Sequence, residues 1–190
     1  MTDRKALYQG ASYAAWGYLF LNLDLNLGTV SILPRFVGCL LFLAAIRRLS
    51  AARRDLTLLR PLGVLLAVWH GADWLASWSG ATLSGHVPAL DLIVSAVSLY
   101  FHFQFLTDCA ALADQHQPPD RELKRRLLRG RTVQTLMITV LALMAYPAEF
   151  FGEAWGYAAA ALALADVLAA LYLMAALFSL RKLFRVQPEP

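Results

Sequence analysis

The sequence predicts an all-α polytopic bundle, six transmembrane helices forming a single domain over residues 1–190, with both ends of the chain on the cytoplasmic side. Three observations predict it. Hydrophobic residues make up 59% of the chain and charged residues only 16%, against about 25% charged in soluble domains. No Lys or Arg occurs between Pro61 and Asp120, or between Thr132 and Leu180, and apolar runs that long read as membrane spans. Finally, the basic residues segregate to one side of the layout those runs define.

Taken in order, the spans fall at about 6–27, 33–48, 61–79, 88–112, 132–151 and 155–180. The first follows Arg4 and Lys5, but it is longer than the apolar stretch of a signal peptide. It ends in Asn22, Asp24 and Asn26 without a small-residue cleavage pattern, so it is expected to be an uncleaved first span. The second is the shortest, opened by Pro34, which suits a first helical turn, and stopped by Arg47 and Arg48. In the loop after it, Leu49, Leu56 and Leu59 can share one face of a short interfacial helix. Ser79 to His86 reads as an outer turn, and Pro88 opens the fourth span. After Pro118 and Pro119, Asp120 is placed to cap a second surface helix, Arg121 to Leu128, ahead of the fifth span.

Lys and Arg near the ends of short loops stay on the cytoplasmic side. Of the seventeen here, Arg35 alone falls on the outer face, while the other sixteen precede span 1, follow span 6 or lie between spans 2 and 3 and spans 4 and 5. The net charge of +4 is therefore a property of the inner membrane surface, with anionic lipid head groups as its expected partners, or else a membrane or cytoplasmic protein docked on the same loops. Nucleic acid is not an expected partner, since no basic domain with groove-reading or aromatic elements is present.

Ionisable groups inside a bilayer are costly and usually face a bundle interior or cavity. Asp91, Ser95, Ser98 and His102 share one face of span 4, His70, Asp73 and Ser77 one face of span 3, and Thr135, Thr139, Tyr146 and Glu149 one face of span 5. Asp166 lies on a stripe with Ala159, Ala163 and Ala170, small residues that permit close helix approach. At 1.5 Å per residue, Asp24, Asp73, Asp91, Glu149 and Glu153 collect in the outer half together with Trp69, Trp74, Trp78 and Trp155, and His70 and Asp166 lie near the middle. Carboxylates beside aromatic faces are what an organic cation favours. The expected ligand site is thus Asp73, Asp91, Glu149, Trp69 and Trp74, with His70 and Asp166 beneath. The same residues also fit an interfacial aromatic belt and interhelical hydrogen bonds.

Catalysis, metals and cofactors are not expected. His70 and Asp73 share a face, but a zinc site takes three or four protein ligands, and there is no H-E-x-x-H, nucleophile elbow or phosphate-binding Gly-rich loop. Cys39 and Cys109 sit in apolar runs and read as small buried hydrophobes.

The stretch Asn22–Leu23–Asp24–Leu25–Asn26–Leu27–Gly28, followed by Ile32–Leu33–Pro34–Arg35–Phe36–Val37–Gly38, resembles the N-terminal signature of small, largely uncharacterised multi-pass membrane proteins of Gram-positive bacteria. It departs from that signature with Arg35 in place of an Asp and Cys39 in place of a Tyr, so an ion-binding role for an Asp at that point does not carry over. The resemblance implies a bacterial cytoplasmic membrane location and no particular activity. The six-span layout is also similar to the substrate-binding subunits of energy-coupling-factor transporters, whose first span docks a partner through an Ala-x-x-x-Ala pattern that Ala11 and Ala15 match here. Together these readings make the expected function binding or transport of a small, cationic solute from the outer side. The alternative is a non-catalytic scaffold or accessory subunit that recruits a partner through its basic loops.

Overall fold

A computed structural model describes residues 4–22, 26–27, 30–31, 34–80, 83, 88–118, 122–145 and 152–185. Among the described residues are six α-helices: α1 Arg4–Asn22, α2 Arg35–Leu49, α3 Arg60–Ser77, α4 Pro88–His116, α5 Leu123–Ala145 and α6 Gly152–Leu183. A 3-10 helix, Arg54–Leu59, joins α2 to α3, and a two-residue antiparallel pair, Asn26–Leu27 with Val30–Ser31, lies between α1 and α2. Asp24, Gly28, Glu149 and the Asp120 cap lie outside the described residues.

Three stretches, Ala89–His116, Leu123–Met144 and Trp155–Leu183, are long and apolar enough to cross a membrane. The other helices fall short for visible reasons. Among them α2 has 15 residues, about 22 Å of helix; α1 is diluted by Gln9, Ser12 and its tyrosines; and α3 carries Arg60, His70 and Asp73. Large apolar side chains nevertheless stand exposed around the bundle, including Val64, Leu65 and Val68 on α3, Leu92 and Ile93 on α4, and Leu164 and Leu168 on α6. In water so much exposed apolar surface would drive association. Against lipid tails it is the ordinary exterior.

Each helix packs on the next in sequence, and α6 closes on α1, so the six form a ring whose thinnest seam is α3 with α4. Glycines set the closest approach. A Cβ on Gly38 would lie 3.0 Å from the Gly17 carbonyl oxygen and 3.2 Å from the Leu21 nitrogen, so Gly38 is a close-contact position between α1 and α2. On the other flank of α1, the rings of Trp16 and Phe178 meet edge to face at 5.9 Å. Between these two neighbours Ala11, Ala14 and Ala15 are fully enclosed. Ala11 and Ala15 therefore serve contacts within this chain rather than an outside partner.

Burial is concentrated toward the arginine-bearing end. It stops at Tyr18 on α1, Leu66 on α3 and Gln134 on α5, resumes only from Ala170 on α6, and on α4 is continuous only near Phe101–Ala113, with Val94 isolated beyond it. Two expectations for the basic loops change. Leu49 ends α2 while Leu56 and Leu59 lie on the 3-10 helix, and all three are buried in the core rather than laid along the membrane surface. Lys124 to Arg131 form the opening turns of α5 rather than a separate surface helix, because the 3.6-residue period runs unbroken from Leu123 and Leu127 into Gly130 and Gln134, all buried. Cys39 and Cys109 are buried, as expected of small hydrophobes.

Candidate functional site

On α3, Trp69, His70, Asp73 and Trp74 are all half-buried in the half of the bundle that holds Arg35 and lies away from the other arginines. Asp73 Oδ1 accepts the Leu83 N–H at 2.9 Å, so this carboxylate braces the chain beyond α3. The Trp74 ring packs against Phe36 of α2 at 5.4 Å and meets Trp78 nearly edge to face at 5.2 Å. Asp91 lies in the first turn of α4, half-buried, where the positive end of the helix dipole favours a carboxylate. Asp166 is half-buried on α6. Since α3 packs on α2 and α4 while α6 packs chiefly on α1 and α5, the α3 group and Asp166 stand on opposite sides of the ring. The structure does not gather the expected residues into one contact cluster. It sets the α3 and α4 members and Asp166 around the same loosely packed half.

Where the packed core ends, polar side chains converge. His102, 8% exposed, is enclosed by the rings of Tyr18, Phe42 and Phe101 at centroid distances of 5.4–5.5 Å, and the Tyr18 hydroxyl lies 3.3 Å from its Nδ1. One turn further along α1, Asn22 Nδ2 donates to the Tyr18 carbonyl at 2.9 Å. Gln134 of α5, 3% exposed, reaches toward Asn22, with its Nε2 donating to Asn22 Oδ1 over a long 3.4 Å. A cavity of about 10 Å³ between α1 and α6, lined by Tyr18, Asn22, Val167 and Ala170 among others, has room for one water. Asp166 Oδ1 and Gln134 Oε1 are both buried without a hydrogen-bond partner. A buried acceptor left unsatisfied costs about 1–3 kcal/mol, so this level of the bundle is poised to receive a donor.

The basic half holds a different polar group. Asp108 of α4, 0% exposed, accepts from Arg53 Nε at 2.8 Å and from Gln104 Nε2 at 3.3 Å, which ties the α2–α3 connection to α4. Nearby, the Arg131 guanidinium sits 4.0 Å over the Phe103 ring and donates to Thr107 Oγ1 at 2.8 Å. Among the described residues no cluster of three or more His, Cys, Asp or Glu could hold a metal ion.

Sequence reasoning missed Tyr18, Asn22 and Gln134 as a group. The available signal was a lone amide, Gln134, following the basic turns of a transmembrane helix, and an Asn at the end of the first span. The chain matches no protein-family model, curated protein or solved structure.

Proposed function

We propose that the chain crosses the membrane six times with both ends cytoplasmic, and binds a small cationic or donor-rich solute that enters from the outer side. Support for the orientation is the placement of sixteen of seventeen basic residues at one end of the layout. The observation that carries the function is the polar floor: Asp166 Oδ1 and Gln134 Oε1, buried and without donors, at the level where packing gives way to the looser outer half. Above it, Asp73, Asp91, Trp69, Trp74 and His70 supply charge and aromatic faces, with Glu149 assigned to the same vestibule from the sequence. A protonated amine would donate to the floor acceptors, with the aromatic faces of α3 lining its approach from the outer side.

The test is a thermal-shift screen of the detergent-purified protein against amines, amino acids, vitamins and metal ions. A ligand that binds only the native state stabilises it by about 2.7 kcal/mol at one hundred times its Kd. The expected result is a saturable rise in Tm with an organic cation, lost in Asp166→Asn and weakened in Asp73→Asn, whose amide oxygen can still accept the Leu83 N–H. A flat screen, together with co-purification of a partner held by the basic loops, would replace this reading with that of a scaffold or accessory subunit.

A further inference from the structure

A trough runs between α1 and α2 at the arginine-bearing end, about 700 Å³ in volume and lined by Ala6, Tyr13, Leu43, Ala44, Arg47 and Arg48. It exists because the two helices touch through small residues. Gly10 admits Leu49 and the Arg48 stem within about 3 Å of where its Cβ would be, and Ala6 and Ala44 leave open the space beside that contact. On α2, Leu40, Leu43, Ala44 and Arg47 follow i, i+3, i+4, i+7 spacing and so form one face, apolar along its length and basic at its end. Leu40, Arg47 and Arg48 are exposed, and among the described residues no Asp or Glu pairs with either arginine. Both arginines occupy the last turn of α2, and they stand beside the opening turns of α1, which carry Arg4 and Lys5.

We infer that this trough is a binding site for an anionic phospholipid, its head-group phosphate held by Arg47 and Arg48 and an acyl chain lying along Leu40, Leu43, Ala44 and Tyr13. Guanidinium groups suit phosphate because they donate in a planar fork. Two adjacent arginines at the end of a helix face that carries Leu40, Leu43 and Ala44 match an amphiphile that has its charge at one end. A soluble acidic protein segment held by the arginines would leave the exposed Leu40 uncovered. The inference rests on the proposed reading of α1 and α2 as membrane spans, and it is independent of the solute site.

The test uses the full chain in neutral detergent, stripped of lipid and titrated with phosphatidylglycerol or phosphatidylcholine while its thermal stability is followed. Phosphatidylglycerol is expected to raise Tm saturably above phosphatidylcholine. The double variant Arg47→Gln/Arg48→Gln should bind it at least about 10-fold more weakly, the loss expected when charge-assisted hydrogen bonds to the phosphate are removed. Lys124→Gln/Arg125→Gln, an exposed basic pair on α5, should keep the wild-type response, as should Asp166→Asn, so failure of the solute site would not disturb the result. Equal effects of the two lipids, an equal loss in the α5 pair, or full competition by inorganic phosphate would each overturn a specific lipid site.

Discussion

At the scale of single residues, the packing makes contrasts that substitution can read. Gly38 and Gly71 are both helical glycines, yet a methyl group at Gly38 meets backbone at 3.0 Å while one at Gly71 meets nothing closer than 3.9 Å. Gly38→Ala is therefore expected to cost about 1–3 kcal/mol through overpacking. Gly71→Ala is expected to be neutral or to gain up to about 1 kcal/mol from helix propensity. Melting temperatures of the two variants in detergent check both. Asp108 supplies a second contrast, since its fully enclosed carboxylate has Arg53 as its charged partner. Arg53→Leu should cost about 3 kcal/mol by stranding that charge, and Arg53→Leu/Asp108→Leu should recover most of the loss, because a buried pair replaced as a unit is often close to neutral. Additive losses in the double-mutant cycle would show that the pair is not coupled.

At the scale of helices, α1 is the wedge of the structure. Its buried residues, Leu7, Gly10, Ala11, Ala14, Ala15, Gly17 and Tyr18, are mostly small and serve neighbours on both sides. Ala11→Leu and Ala15→Leu are each expected to destabilise by about 1–3 kcal/mol, whereas Leu65→Ala or Val68→Ala on the exposed face of α3 should stay within about 0.5 kcal/mol. Thermal melts of the four variants decide it.

Helices of this kind are legible in sequence because apolar length and proline position are local signals. Pro88 opens α4 as expected, and the stripe from Asp91 ends in a buried His102. What lies between helices is not local. Arg53 and Asp108 are 55 positions apart, Asn22 and Gln134 are 112 apart, and nothing in either neighbourhood names its partner. The basic turns of α5 are ambiguous in sequence for a related reason. A surface helix and the wet end of a long span share one periodicity, and only the burial of Leu123, Leu127 and Gly130 separates them.

At the scale of the whole molecule, the proposed six-span layout makes a prediction that does not depend on any ligand. Both native cysteines are buried, so they should resist maleimide until the protein is denatured. Single cysteines at Ser79 and Arg126, both exposed positions, can then be read in an otherwise native chain. An impermeant maleimide added to intact cells should label the cysteine at 79 and not that at 126; inverted vesicles should give the opposite pattern. Labelling of both positions from one side would remove the proposed topology.

The closure of α6 onto α1 also bears on how the protein is made. Of these six helices α1 leaves the ribosome first and α6 last, yet Trp16 meets Phe178, and the Arg181 guanidinium lies 5.2 Å from the Tyr8 ring centroid. In the proposed topology one flank of the wedge therefore waits in the bilayer through the synthesis of four intervening helices. During that interval α2 can cover Gly10 and Gly17, while the flank that meets α6 has no protein neighbour among these helices. Assembly is thus completed by the last segment to arrive, and a chain interrupted before α6 leaves the first helix half-clad.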